Sequence, residues 1–268
     1  MDFTLRLLDT APLLAWVFLF AAQLLLLEVG YLVGRRYPPS DAGERDGIGV
    51  IVTTLLALAS FIMAMSLNIA TGRFEEERGV IVAEANAIET AWLRASALPE
   101  EQAARIALRL QDYAAVRAAF VAAPPDPVVL ERLDRQSAAL QGELWREMTA
   151  LLAVRVDPAV VNLQASLNDT FDAATLTRYA FTTPLGRHLF LLLATVTTVA
   201  VMALGLHLGL RLKRQRGAVR VGIAVLCAVW TLLLLNILDL ATGRIGYVRP
   251  SAQPYEWFLD RFRSGPQP

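Results

Sequence analysis

Four long apolar stretches constrain this chain more than any other feature of its sequence. A helix needs about 20 predominantly apolar residues to cross the hydrocarbon core of a bilayer. Each stretch is that long, and hydrophobic residues make up 55% of the chain. The stretches cover residues 12–34, 48–70, 188–210 and 219–240. The sequence therefore predicts an all-α membrane protein with four transmembrane helices.

Short loops join the first stretch to the second and the third to the fourth, so we expect two helical hairpins. The polar region between the hairpins is helical in pattern. Asp126-Pro127 and Asp157-Pro158 each place an N-capping residue before a proline that suits a first helical turn. We therefore expect a first hairpin over residues 1–72, an extramembrane helical domain over 73–186, and a second hairpin with a short tail over 187–268.

The second transmembrane helix is predicted to continue directly into the helical domain. After this stretch no proline occurs before Pro99. Phe74, Ile81 and Ile88 recur every seven residues, a spacing typical of a helix that packs against other helices. We call this continuation, residues 73–98, the stalk.

The two hairpins share short sequence features. The tetrapeptide Ala-Thr-Gly-Arg ends the second helix of each hairpin, at residues 70–73 and 241–244. This repeat indicates either a duplicated hairpin or two membrane helices that end alike at the interface. The first helix of each hairpin also carries two glycines four residues apart, a pattern that lets helices approach closely and invites association. These helix-packing candidates are Gly30, Gly34, Gly205 and Gly209.

Basic residues are densest in the two short hairpin loops. Eight lie in or beside residues 35–47 and 211–220, whereas nine are spread over the two tails and the ends of the helical domain. Because short cytoplasmic loops attract Arg and Lys, this density places the loops in the cytoplasm and the helical domain outside. We expect a location in a bacterial inner membrane, with the opposite orientation as the alternative.

Several short pieces of the stalk, the following helices and the approach to the third span are shared with one bacterial family of integral membrane proteins. These pieces are Glu84-Ala85-Asn86-Ala87-Ile88, Thr90, Leu93-Arg94, Leu98-Pro99, Tyr113, Leu167-Asn168-Asp169 and Thr183-Pro184. On these residues the chain resembles the family labelled bestrophin-like. The resemblance implies an analogy to pentameric anion channels, with four spans per subunit and a helical domain between spans two and three. It also implies a cytoplasmic helical domain, which opposes the orientation from basic residues.

Polar side chains within the spans are candidates for an ion pathway, because ionisable groups in a membrane are costly and usually face protein or water. Each has a structural alternative. A carboxylate can reach the interface or pair with an arginine, such as Asp239 with Arg244, and an asparagine can join neighbouring helices. The pore-lining candidates are Thr53, Ser60, Ser66, Asn68, Glu28 and Asp239.

Three consecutive carboxylates, Glu75, Glu76 and Glu77, follow the second span. Repeated in an oligomer, they would form an acidic vestibule that attracts cations. The alternative is a solvated helical turn in which Glu77 pairs with Arg73.

Four polar residues follow further along the stalk, and one of them, Glu84, shares a face with Glu77 seven residues before it. We interpret them as a polar network between the stalk and the helical domain, with a ligand or cation site as the alternative. These stalk residues are Glu84, Asn86, Glu89 and Arg94.

The sequence contains no pattern of an enzyme, a cofactor site or a nucleic-acid site. His188 and His207 lack carboxylate or cysteine neighbours, Cys227 is the single cysteine, and no phosphate-binding loop or nucleophile motif occurs. No basic domain is present. We therefore expect no metal and no catalytic residue.

The expected function is that of a homo-oligomeric ion channel or pore-like protein, and the sequence does not define its ion selectivity. The expected partners are further copies of the chain, with a pentamer as one option, together with the lipid bilayer and small ions. The alternative is a non-conducting membrane sensor or scaffold. The helical domain, residues 73–186, carries 11 arginines against 16 acidic residues, and in the alternative this acidic domain binds a partner protein.

Overall fold

The structure is a computed structural model that describes residues 11–37, 41–182, 186–211, 217–244 and 246–263. Helices occupy most of these ranges, and no strand occurs in them, which confirms the all-α prediction. Thr183, Pro184 and the basic residues at 212–216 lie outside the described residues. The helices are α1 (Pro12–Arg36), α2 (Ala42–Ser96), α3 (Glu101–Ala122), α4 (Pro127–Val154), α5 (Pro158–Thr182), α6 (Gly186–Arg211), α7 (Gly217–Thr242) and α8 (Gln253–Arg263).

Four helices are long and apolar enough to cross a membrane, and they contain the four predicted spans. The apolar helical segments are Leu13–Arg36, Gly43–Ser96, Leu189–Arg211 and Gly217–Thr242. The protein is therefore a multi-pass membrane protein with four spans.

The chain divides into two compact units. The membrane unit consists of Met1–Arg73 and Pro184–Val248, and the helical unit consists of Phe74–Thr183 and Arg249–Pro268. We expected the C-terminal tail to belong with the second hairpin, whereas Arg249–Pro268 group with the helical unit. The tail folds as α8 and buries Tyr255 and Phe258 in the core of the helical unit.

In the membrane unit, α1 packs most closely on α6. The reason is that glycines face each other where the two helices cross. A Cβ atom at Gly30 would overlap the carbonyl oxygen of Met202, and one at Gly205 would overlap that of Leu27. Because any side chain at these positions would push the backbones apart, the close crossing requires glycine.

Gly34 and Gly209 lie in the same helix crossing. A Cβ atom at Gly34 would overlap the carbonyl oxygen of Leu206, and one at Gly209 would overlap that of Tyr31. The structure therefore uses all four glycines to pack helices within one chain, whereas the sequence analysis offered them for association between subunits.

Helix α2 is a single helix of 55 residues. At about 1.5 Å per residue its length is about 80 Å, more than twice the thickness of a hydrocarbon core. Within each unit, its buried residues recur at spacings of three, four and seven residues. They include Val52, Ala59, Met63, Ser66 and Ala70 in the membrane unit and Ile81, Glu84, Ile88, Ala91 and Ala95 in the helical unit.

The helical unit packs α3 against α4 and α8, with a continuous apolar core. Its helix starts follow the predicted proline pattern. The carboxylate of Asp126 accepts a hydrogen bond of 2.9 Å from the backbone N–H of Val128, and that of Asp157 accepts bonds from Ala159 and Val160. The bond from the Val160 N–H is the main cause that lowers the pKa of Asp157, and Arg155 adds to it.

Candidate functional site

The membrane-crossing part of α2 carries the candidate pore-lining residues of the second span. Thr53, Ser60 and Asn68 are exposed in the single chain. The hydroxyl of Thr53 donates to the carbonyl of Gly49 at 2.9 Å, and that of Ser60 donates to the carbonyl of Leu56 at 2.9 Å. These bonds satisfy the hydroxyl donors within the helix, so both side chains can lie in a membrane without an unpaired proton.

Ser66 differs from these residues because it is buried, with 3% of its surface exposed. It lies on the buried side of α2 between Met63 and Ala70, three residues after one and four before the other. At 100° per residue, Ser66 points about 140° away from Thr53. The structure therefore separates Ser66 from the outward-facing polar residues.

Small and polar residues together form a stripe along the outward face of α2. Successive members are four, three, four and seven residues apart, so they share one side of the helix. All five are exposed in the single chain. We call them the small-polar stripe: Thr53, Ala57, Ser60, Ala64 and Thr71.

Ala57, Ala64 and Thr71 were not among the candidates that polarity alone predicted. These three residues recur every seven positions along the outward face of α2, as residues of the buried face also do. This spacing in the sequence could have identified them. Large apolar side chains flank the stripe and are also exposed in the single chain, namely Leu58, Phe61, Met65 and Ile69.

The two ionisable candidates of the other spans lie in different environments. Glu28 is exposed on α1. Asp239 lies near the end of α7, where its carboxylate accepts hydrogen bonds from the backbone N–H groups of Tyr247 at 2.8 Å and Val248 at 3.2 Å. Gly246 has φ +106°, and a Cβ atom there would overlap this carboxylate. Asp239 therefore stabilises the backbone of residues 246–248, which follow α7.

The three carboxylates after the second span do not all face the same way. Glu75 and Glu76 are exposed, and Glu75 accepts a hydrogen bond of 3.3 Å from Arg78. Glu77 is buried, with 3% of its surface exposed. An acidic vestibule at this level would therefore consist of Glu75 and Glu76.

The most deeply buried charged pair of the helical unit joins the stalk to α3. Glu84 has 0% of its surface exposed and Arg117 has 2%. The guanidinium donates two hydrogen bonds to the carboxylate, of 2.5 and 3.1 Å, and a third of 3.2 Å to the carbonyl of Ala174 on α5. Burial opposes the charge of Arg117, but the hydrogen bond and charge of Glu84 outweigh it and raise its pKa.

Two buried tyrosines surround this pair. Burial is the main cause that raises the pKa of both Tyr113 and Tyr255 above the ordinary value for tyrosine. The hydroxyl of Tyr113 accepts a hydrogen bond of 2.9 Å from the side-chain amide of Gln141. Both tyrosines are therefore neutral beside the ion pair, and the charges of Glu84 and Arg117 compensate each other.

The other stalk residues contact different helices. Glu89 accepts a hydrogen bond from Arg261 on α8, and Arg94 donates one of 2.7 Å to the carbonyl of Asn162 on α5. Asn86 is exposed. Glu84, Glu89 and Arg94 therefore make separate contacts along the stalk instead of one shared network.

Arg117 is the buried partner of Glu84, and the sequence pattern did not identify this pairing. It occupies an apolar stripe of α3 at helical spacing with Leu110, Tyr113 and Phe120, which are all buried. A charged residue in such a stripe indicates a buried partner of opposite charge. Within the described ranges, no group of three His, Cys, Asp or Glu side chains is placed to hold a metal ion.

Solved structures share this architecture. A point variant of a bacterial bestrophin homologue from Klebsiella pneumoniae matches with a TM-score of 0.64 and 15% identity, covering 92% of this chain and 99% of that one. Another crystal structure of a Klebsiella pneumoniae bestrophin homologue has a TM-score of 0.64, 16% identity and coverage of 92% and 99%. The chain has a bestrophin-like fold.

The bestrophin-like fold confirms the layout that the resemblance implied from the sequence. A third structure, a variant described as a membrane protein, matches with a TM-score of 0.67 and 15% identity, covering 94% of this chain and 99% of that one. The sequence itself matches no family model and no curated protein. At this identity the likeness concerns the fold and transfers no individual residue.

Proposed function

We propose that the protein is a subunit of a homo-oligomeric ion channel in which the small-polar stripe of α2 lines the conducting axis. The observation that carries this proposal is the stripe itself. It runs along a membrane-crossing helix, and it is exposed in a chain with a bestrophin-like fold. Small and hydroxyl-bearing side chains leave room for water at an axis, whereas a lipid-facing helix gains nothing from them.

One subunit cannot enclose such an axis, because four helices around an apolar interior leave little room for water. A ring of subunits brings one copy of the stripe from each to the centre. The bestrophin likeness favours five copies. Phe61 and Met65, which are 65% and 57% exposed in the single chain, lie beside the stripe. In the ring they contact the neighbouring subunit or narrow the axis as an apolar gate.

The carboxylates that follow the second span predict an ion preference for the proposed channel. Glu75 and Glu76 are exposed in each subunit, so a ring concentrates negative charge at their level of α2. This ring of charge favours cations near one mouth, and the reversal potential in asymmetric salt measures that preference.

Ser60→Trp should block conduction. The indole would add large volume to every subunit at the same level of the axis, and we expect single-channel conductance to fall by more than about tenfold. The measurement is planar-bilayer recording of purified protein. The matched control is Val229→Trp on α7, because Val229 is 59% exposed and lies outside the stripe.

Two outcomes would contradict the channel proposal. One is wild-type protein that carries no current above empty liposomes in several salts and pH values. The other is a Ser60→Trp variant that conducts as well as Val229→Trp. In the first case a stoichiometric protein that copurifies with the acidic helical unit would support the sensor or scaffold function instead.

The proposed location is a bacterial inner membrane, and the proposed orientation follows the density of basic residues, with the hairpin loops in the cytoplasm. Gln136 on α4 is exposed, and Cys227 is buried in the membrane unit. A Gln136→Cys, Cys227→Ser variant should therefore react with a membrane-impermeant maleimide added to spheroplasts. Protection until the membrane is opened would give the opposite orientation, which the bestrophin analogy implies.

A further inference from the structure

A partly open cavity of about 140 Å³ lies between α1, α6 and α7 of the membrane unit. Its wall is largely apolar and receives residues from all three helices. The main apolar contributors are Leu19, Leu26, Phe190, Leu193, Leu234 and Leu238. The proposed conducting path uses the outward face of α2, so this cavity is separate from it.

One polar side chain in the wall stands out. Gln23 on α1 is buried, with 4% of its surface exposed, and it lines the cavity. Its Oε1 atom has no hydrogen-bond partner among the described residues. An unpaired amide oxygen within a membrane span is costly, so a partner from outside the chain would stabilise this arrangement.

The remaining polar groups of the wall are few. Thr197 and Thr198 on α6 also line the cavity, and the hydroxyl of Thr197 accepts a hydrogen bond of 3.3 Å from the indole N–H of Trp230. A buried water requires two to four polar partners, whereas most of this wall offers none. An apolar occupant with one polar group matches the wall better.

We propose that this cavity binds a small apolar molecule that bears one hydroxyl group, of the phenol or cyclic alcohol class. The volume supports this size, because an apolar cavity of about 150 Å³ binds benzene. The hydroxyl pairs with Gln23, and it complements either end of the side-chain amide because it both donates and accepts. The remaining atoms of the ligand contact the leucines and Phe190.

The test compares 4-fluorophenol with fluorobenzene, two probes that differ by the hydroxyl. Full-length protein in nanodiscs is titrated with each probe, and the bound resonance is followed by ¹⁹F NMR. We expect wild-type protein to bind 4-fluorophenol about five to tenfold more tightly than fluorobenzene, the range of one buried hydrogen bond. In Gln23→Leu the two probes should bind with equal affinity.

Two further variants keep the test independent of folding and of lipid partitioning. Thr195→Val removes an exposed hydroxyl of α6 outside the cavity, and it should leave the preference for 4-fluorophenol unchanged. Ala194→Leu fills part of the cavity and should abolish the saturable resonance of both probes. Thermal unfolding identifies any variant that is not folded.

The proposal is overturned if wild-type protein gives no saturable resonance, which is also the result expected of a cavity that holds only water. It is equally overturned if the preference for 4-fluorophenol persists in Gln23→Leu. Neither result depends on ion conduction, so this test and the test of the channel proposal fail independently.

Discussion

Gly205→Val is expected to prevent the membrane unit from folding. The crossing of α1 and α6 places the Cα of Gly205 against backbone, so a Cβ atom would overlap the carbonyl oxygen of Leu27 and lie 3.0 Å from the backbone nitrogen of Tyr31. Backbone atoms inside a helix cannot move aside as a flexible side chain can. The helices must separate, and we expect a loss of about 3 kcal/mol or more of folding free energy.

The measurement is thermal unfolding of the purified protein in mild detergent, together with the monodisperse fraction in size-exclusion chromatography. Gly222→Val on α7 is the matched control, because a Cβ atom at Gly222 meets nothing within 4 Å. Valine has a higher helix propensity than glycine, so this control should unfold at or slightly above the wild-type temperature. Equal melting temperatures for the two variants would show that α1 and α6 do not cross at these glycines.

The same crossing bears on the repeated sequence features of the two hairpins. Each contact on α1 has its counterpart on α6 at a residue number 175 higher, as the pairs Gly30 and Gly205, Leu27 and Met202, and Tyr31 and Leu206 show. The contacts are therefore reciprocal, as two-fold related helices require. This reciprocity supports a duplicated hairpin over the alternative that membrane helices of this type simply end alike.

The transmembrane layout could be predicted from the sequence because apolar length is a local property of the chain. The spans, the unbroken stalk and the proline-marked helix starts all depend on neighbouring residues. The placement of Ser66 could not be predicted this way. Counting polar residues along the second span ignores the phase of the helix, and that phase puts Ser66 on the buried side and Thr53 on the outward side.

Pairings between distant residues were also beyond the reach of the local pattern. Glu84 and Arg117 are 33 residues apart, and Glu89 and Arg261 are 172 apart. Only the packing of α3 and α8 on the stalk brings these charges together. The place of the C-terminal tail could not be predicted for the same reason. Its 11-residue helix packs through Tyr255 and Phe258, and their contacts with the core of the helical unit exist only in the folded structure.

Glu84→Ala is expected to destabilise the helical unit by about 3–5 kcal/mol, since it leaves the guanidinium of Arg117 buried without a counter-charge. That guanidinium is 2% exposed, and among the described residues it would keep a hydrogen bond to the carbonyl of Ala174 and a cation–π contact with the Phe120 ring, neither of which supplies a full negative charge. Hydrogen exchange of the full-length protein measures the effect directly, because lost stability appears as faster exchange of the core amides of α3 and α4.

Two controls separate the buried charge from the loss of a contact. Glu131→Ala removes a carboxylate from the pair with Arg135, in which the side chains are 68% and 72% exposed, and it should change stability by less than about 0.5 kcal/mol. The double variant Glu84→Leu, Arg117→Met removes both charges and should recover most of the loss, because well-packed apolar residues can replace a buried ion pair. If Glu84→Ala proved as mild as Glu131→Ala, the stalk and α3 could not enclose this pair away from water. If the double variant were as unstable as Glu84→Ala, the loss would come from packing and not from the uncompensated charge.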